Sequence, residues 1–530
     1  MYKLTQKSYI AGTWVSPKGD AFQAQNPVTH ERLSEHNNCL ENDVNSAMEA
    51  AQQAYPVFNQ LSPVDHANFL IAITEEIDAL GDQLLDVCNQ ETGLGLPRLT
   101  GERGRTTGQI RAFAEIIKNA SWVQASIDTA EPERAPLPKP DLRKMLKPIG
   151  PVAVFGASNF PFAFGTLGGD TISALAAGNP VIVKGHPSHP ATNELFSYAI
   201  GNAISRCKLP QGVFSLLQGN AIPLSVQLVC HPLTQAVGFT GSLSGGRAIM
   251  DAAAKRAKPI PVFAEMGSVN PMFFTNNVLT QSAESLAKAL AGSVCMGTGQ
   301  FCTSPGVIVI QKNDTFVNTL AETMSANPKG IMLNAGIGQE FLSGIQAFIA
   351  TGEVEWVNKD EASLTSTTDN ALLPPNVVLK TTANAFLKNP QLQSEVFGPA
   401  TLVVECDDDA QFTQIAQGLE GNLTASIHAV DEDNDLVKAL IVLLEQNTGR
   451  IIFNGFPTGV EVCGSQHHGG PYPASSNGST TSVGIDAIHR FTRVVAYQNT
   501  PAQLLPAELQ NANPYNIVRR VNGDFSAKAI

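Results

Sequence analysis

Six short stretches of this chain carry side chains suited to chemistry. "GTGQFCTSPG" (297–306) sets Cys302 among glycine, serine and threonine, a polar and mobile setting for a thiol; its neighbours alone favour the plainer account of a small residue in a loop. "AEMGSVNP" (264–271) sets Glu265 between apolar residues and a glycine, where a carboxylate is placed for a general base; taken singly, such a side chain is more often solvated or paired. "VFGASNFPF" (154–162) ends an apolar run with Asn159, an amide able to donate hydrogen bonds. "VIVKGHP" (181–187) places Lys184 as a cation for a phosphate or ribose. "FTGSLSGG" (239–246) opens a helix with Gly241, Ser242, Gly245 and Gly246, whose free amides suit a pyrophosphate, although a tight strand-to-helix turn explains the glycines equally well. "SEVFGP" (394–399) adds Glu395 and Phe397 in a similar turn.

The elements that must position these residues follow from pattern. From residue 149, short β-branched runs ("PVAVFGAS", "PVIVKG", "VFSLLQG", "AVGFTGS", "PVFAEMG") alternate with helical stretches ("DTISALAAG", "ATNELFSYAIGNAISR", "SGGRAIMDAAAKRAK"). Strand–helix alternation predicts a doubly wound parallel sheet, with ligands beyond the carboxyl ends of the strands. Residues 42–120 read as mostly helical, and "EPERAPLPKP" (131–140) as a linker or extended arm. A second α/β pattern follows residue 265, with a helix over 281–296, the strands "GVIVIQ", "TASIHAV" and "RIIFNG", and the polar loops "SLTSTTDN" and "PASSNGSTTSVG". The expected fold class is therefore α/β, with two doubly wound domains.

Composition narrows the partners. The 530 residues, 43% hydrophobic and 15% charged, suit a globular chain of two or three domains. A net charge of −13 with scattered Lys and Arg argues against nucleic acid or an anionic membrane surface. The first residues lack the apolar core of a signal peptide, and a cytoplasmic protein is expected. The eight cysteines form no CxxC pair, so neither a zinc site nor a disulfide framework is expected. His467-His468 read as an ordinary loop, with no metal site.

Taken together, the ordered "NFP", "EMGS", "GQFC" and "EVFGP" motifs resemble the aldehyde dehydrogenase superfamily over nearly the whole chain. "AEMGSVNP", "GQFCTSPG", "GGPYPASS" and "NPYNIVRRVNG" resemble the bacterial subgroup that oxidises α-ketoglutaric semialdehyde (2,5-dioxopentanoate). The resemblance implies Cys302 as nucleophile, Asn159 and the Cys302 backbone N–H as oxyanion donors, and Glu265 as the base that activates water. A partly buried Glu265 is expected to have its pKa raised. Glu395 would hold the nicotinamide ribose, Phe397 would pack beside the nicotinamide, and Cys295 would be a core residue. It also implies a Rossmann-like cofactor domain (1–130 and 150–264), a catalytic domain (265–485), and an oligomerisation arm with the C-terminal tail (131–149 and 486–530) that makes a homodimer or homotetramer.

NAD-preferring members carry a glutamate three residues after the lysine; here that position is Pro187. With Lys184 and His186 nearby, NADP is favoured over NAD. A distal substrate carboxylate calls for an arginine, and "GERGRTTGQIR" (101–111) offers Arg103, Arg105 and Arg111, each also readable as a solvated or interface residue. Phe160 and "FPTGVEVC" (456–463) are expected to wall the aldehyde channel. Three other readings stand beside this one: a fatty-aldehyde or other semialdehyde dehydrogenase, a non-catalytic homologue acting as a binding protein, and a Cys–His hydrolase using His467 or His468.

Overall fold

The computed structural model describes residues 2–359 and 371–530; "SLTSTTDN" (363–370) lies outside them. Two seven-stranded sheets organise the chain, each the product of strand–helix alternation. In the first, Val152–Phe155 lies centrally, flanked on one side by Ala236–Thr240 and Val262–Glu265 and on the other by Val181–Lys184 and Phe214–Leu217, all parallel. Val152, Ala153, Val154 and Phe155 are all buried, as helices on both faces of a parallel sheet require. The crossovers run first to one side of Val152–Phe155 and then to the other, so the crevice at its carboxyl end is the topological switch point.

The helical expectation for residues 42–120 holds as Glu41–Phe58, Pro63–Ala79, Gly81–Thr92 and Leu96–Lys118. Ser62 starts the second of these by accepting from Asp65 N, with Pro63 in the first turn where its missing N–H costs nothing. The N-terminal strands Ser8–Ile10 and Thr13–Val15, too short for a periodicity signal, complete the first sheet by antiparallel pairing on Phe214–Leu217.

The second sheet runs Glu355–Trp356, Val377–Thr382, Ala400–Cys406, Val307–Gln311, Met272–Phe274, Asn422–His428, Thr448–Phe453. The helix expected over 281–296 is Asn276–Cys295, bent at Ser282. Cys295, its last residue, is half-buried against the core beneath that helix.

A five-stranded sheet joins Thr492–Gln498, Leu142–Pro148, Ser126–Asp128, Arg519–Val521 and Asp524–Ser526. The C-terminal tail thus folds onto this sheet, with Arg519 fully buried and donating to the Lys528 carbonyl. The proline-rich 131–140 stretch is a mostly exposed loop closed by a Glu131–Lys139 bridge.

Residues 474–476 cross back to the first sheet and run beside its edge strand Val262–Glu265. Met266 N donates to Ala474 O (2.8 Å) and Ser476 N to Ala264 O (2.9 Å). A loop from the far end of the chain is thereby laid across the end of that sheet.

Candidate active site

Cys302 sits on a loop built by backbone geometry. After Cys295, Gly297, Thr298 and Gly299 take φ of 57°, 60° and 63° in succession, a left-handed turn that glycine enters without steric cost. A Cβ on Gly299 would also collide with the Gly398 carbonyl. The loop is pinned rather than mobile: the Asn270 amide donates to the carbonyls of Cys302 and Ser304, both at 2.9 Å, and Gln300 Oε1 accepts from Leu333 N. This corrects the expectation of a loose setting. The small residues leave access while the polar ones fix the backbone.

Asn159 follows the central strand. Its side-chain amide donates to Gln300 O at 3.0 Å, two residues before Cys302. Its own carbonyl accepts from Arg98 Nη2 at 2.6 Å. The Arg98 guanidinium also lies about 5 Å from the Phe160 and Phe301 ring centres. Glu102, one turn on, is buried and accepts from the backbone N–H groups of Phe162 (2.8 Å) and Ala163 (3.0 Å). Helix Leu96–Lys118 therefore clamps the Asn159 loop, a role that no local pattern marks.

Glu265 ends its strand, buried at 4% exposure. The Ser482 hydroxyl donates to its Oε2. Its Oε1 lies 2.9 Å from His468 Nε2, close but outside hydrogen-bond geometry. That same Nε2 lies 3.4 Å from Cys302 Sγ. The three polar atoms lie within 4.8 Å of one another, and three donors fall one short of a closed structural zinc site.

Burial pushes the Glu265 carboxyl up, but His468, Ser482 and the Cys302 thiol outweigh it and hold the group below its usual range. The expected upward shift is thus reversed, because burial came with partners. The Cys302 thiol is pushed well above its usual value, by burial first and then by the neighbouring Glu265 charge. His468, read from sequence as plain loop or as the partner of a Cys–His hydrolase, stands beside both Cys302 and Glu265. Only the strand-like docking of 474–476 brings it in.

The residues expected to hold a cofactor line the same end of the first sheet. Ser242 is exposed and caps helix Leu243–Ala254, accepting from Gly245 N; Gly241 beside it is exposed and Gly246 is buried. A Cβ on Gly246 would meet Met266 Cγ at 2.7 Å, so glycine is needed for packing there. Lys184 is half-buried at its strand end, lowered to about 8 by burial with no carboxylate opposing the shift. His186 stacks on His189 with ring centres 5.4 Å apart, and its Nδ1 accepts from Ser188 N. Across the crevice, Glu395 Oε1 accepts from Ser268 N at 3.3 Å, and Phe397 lines a pocket with Phe301, Ser268 and Glu395. An exposed helix start and a cation without a carboxylate partner among the described residues fit a dinucleotide phosphate chain.

On the substrate side the three arginines separate. Arg103 donates to Gly81 O (3.0 Å), and Arg111 pairs with Asp78 (3.0 Å) at the surface; neither is brought to the site. Arg105 lies over the Phe164 ring with its Nη1 buried and without a hydrogen-bond partner among the described residues. Burial lowers its pKa, and Glu102, Cys302, Glu265 and Glu461 are the charges that act on it. Phe160 packs edge-to-face on Phe301 (5.0 Å) and Phe164 (5.7 Å), with Val460 and Val462 against the same cluster.

A family model described as "Aldehyde dehydrogenase family" matches residues 14–496. The chain is 44% identical over 484 residues to alpha-ketoglutaric semialdehyde dehydrogenase 2 of Azospirillum brasilense, covering 91% of each. It is 43% identical over 530 residues to alpha-ketoglutaric semialdehyde dehydrogenase of Acinetobacter baylyi, covering 98% of each. Among solved structures, lactaldehyde dehydrogenase from Escherichia coli superposes with a TM-score of 0.80 at 22% identity, over 93% of this chain and 99% of that one. Among the described residues, no helix is long and apolar enough to cross a membrane.

Proposed function

Since the chain belongs to the aldehyde dehydrogenase family, whose members oxidise aldehydes to carboxylates with NAD or NADP, we propose that it converts α-ketoglutaric semialdehyde to 2-oxoglutarate, with NADP preferred. Arg105 carries the substrate reading. A guanidinium with a buried, unpartnered N–H among the described residues, within electrostatic reach of Cys302, is matched to a carboxylate at the far end of a short semialdehyde. The identity to the two relatives named above supports the same substrate.

In this mechanism Cys302 Sγ attacks the aldehyde carbon, and the resulting thiohemiacetal oxygen is stabilised by the Asn159 amide and the Cys302 backbone N–H. A bound nicotinamide would supply the hydride acceptor for this carbon. Water, deprotonated by Glu265, then cleaves the thioester on Cys302 and releases the carboxylate. Ser242, Gly241 and Lys184 would hold the dinucleotide's phosphates and ribose, and Glu395 with Phe397 its nicotinamide end, whereas Gly246, its N–H already bonded to Ser242 O, serves packing. Pro187 presents no carboxylate to repel a 2′-phosphate, while Lys184 and His186 lie beside its place.

Residues 1–130 and 150–264 serve as the cofactor unit and 265–485 as the catalytic unit. The exposed edge strand Thr492–Gln498, with Val494 59% exposed, supports assembly into a homodimer or homotetramer. A cytoplasmic location accords with this chemistry. The apolar walls Phe160, Phe164, Phe301, Val460 and Val462 favour a second reading, a longer aliphatic aldehyde.

The test is formation of reduced nicotinamide from 2,5-dioxopentanoate, succinic semialdehyde and a long-chain aldehyde, each with NAD and with NADP, alongside Cys302→Ala. The highest kcat/KM on 2,5-dioxopentanoate with NADP, abolished in the variant, is expected. A long-chain preference overturns the substrate reading, and turnover by Cys302→Ala overturns the mechanism.

A further inference from the structure

Aldehyde oxidation needs a nucleophile, oxyanion donors and a base for water. His468 is none of these, yet it is 1% exposed and lies 3.4 Å from the sulfur and 2.9 Å from the Glu265 carboxylate through one nitrogen. Its other ring nitrogen, Nδ1, is buried without a hydrogen-bond partner among the described residues. A buried orphan of this kind costs stability and calls for a reason. His468 also lines a narrow cleft with Glu265, Ser475, Ser476, Thr481 and Ser482, which reaches the exposed Asn477. Hydroxyls dominate this cleft, whereas phenyl rings dominate the substrate side.

We infer that His468 is a further catalytic residue that carries the thiol proton of Cys302 out of the site into the hydroxyl-lined cleft. The inference rests on Cys302 as the nucleophile. The S–H bond breaks as Nε2 takes the proton, and Glu265 balances the imidazolium. Nδ1 then releases a proton to the cleft, leaving a neutral ring with its hydrogen on Nε2. No electrons are exchanged in these transfers. When thioester hydrolysis expels the thiolate, Nε2 returns its proton to sulfur and Nδ1 is refilled from the cleft. The proton that Glu265 takes from water leaves with that of the product acid.

Glu265 alone serves this step poorly. Its Oε2 already accepts from Ser482, whereas His468 Nε2 lies within hydrogen-bond distance of the sulfur. The charged groups that face the ring are Glu265 and Cys302, with His467 next in the chain, Arg105 acting on both Cys302 and Glu265, and Arg490 on the cleft wall paired with Asp170 at 2.7 Å.

The first test needs neither substrate nor cofactor. Alkylation of Cys302 by iodoacetamide is followed from pH 5 to pH 10 in the full-length protein, in His468→Gln and in His468→Ala, with the modified residue located by mass spectrometry. Slowing by about tenfold at pH 7 in His468→Gln, a displaced pH profile, and recovery of His468→Ala on adding imidazole are expected. Turnover with the best aldehyde falls by about 10²-fold. Alkylation profiles that superimpose on the parent overturn the inference, whatever aldehyde the enzyme prefers.

A second readout uses the unaltered enzyme, so that it survives a variant that does not fold. A pH indicator in a single turnover should report proton release with no lag behind nicotinamide reduction. A lag until hydrolysis means that Glu265 keeps the proton, and the export route is wrong.

Discussion

Arg105→Met separates substrate recognition from catalysis. Methionine keeps an unbranched, apolar side chain over the Phe164 ring, 5.6 Å from the present guanidinium carbon, but removes the charge and every donor. Hydrogen bonds to charged groups contribute about 1.5–3 kcal/mol each. A bidentate pair to a substrate carboxylate in this half-buried position therefore contributes about 3–4 kcal/mol, less than two full bonds because solvent still reaches part of the residue. At about 1.4 kcal/mol per decade, kcat/KM for 2,5-dioxopentanoate should fall 10²- to 10³-fold. The loss should lie mainly in KM, since the carboxylate is bound alike in ground and transition states. Neutral aldehydes of similar length should lose far less kcat/KM, only what the removed Arg105 charge costs the Cys302 thiol. The assay is initial-rate nicotinamide absorbance on both substrate types, with iodoacetamide alkylation of Cys302 as a check on the nucleophile. An equal loss on charged and neutral aldehydes would refute carboxylate recognition and leave Arg105 acting only through the Cys302 thiol. No loss on either would place the anion site elsewhere.

Asn159→Ala removes the proposed oxyanion donor and should lower kcat by about 10²–10³-fold, seen in steady-state rates, while Cys302 alkylation stays near the parent rate. Lys184→Met should raise KM for NADP at least about tenfold while changing KM for NAD less, because the lost cation faces no opposing carboxylate. Glu102→Ala leaves two buried N–H groups of the Asn159 loop without an acceptor, and should cost about 2–4 kcal/mol in urea unfolding. Burial raises the Glu91 carboxyl from 4.5 to about 7. Its folded-state pKa therefore lies above the unfolded one, so its stabilising contribution is full below pH 4.5 and is lost as pH rises through about 7. The thermal midpoint should decline across that window, with a flatter slope in Glu91→Gln.

Much of this protein is determined by local sequence. Apolar four- and five-residue runs such as Val152–Phe155 and Ala236–Thr240 can only be buried strands, and the helices between them fix a parallel, doubly wound order. Cys302, Glu265 and Asn159 stand in motifs because each sits where a strand or helix ends and backbone geometry restricts its neighbours. The N-terminal pair Ser8–Ile10 and Thr13–Val15 escaped because three residues are too few for periodicity to register.

What the tertiary structure decided is which distant residues meet. Arg103, Arg105 and Arg111 share one helix and one composition, yet rotation about the axis and the partners at each position leave only Arg105 with a buried N–H unpartnered among the described residues, within electrostatic reach of the thiol. His468 and Ser482 reach Glu265 only because residues 474–476 pair along an edge strand more than two hundred positions earlier. That pairing reverses the direction of the Glu265 shift, since burial without partners raises a carboxyl and burial with them lowers it. Local sequence determines where reactive groups are offered; the energy that tunes them comes from contacts made across the fold.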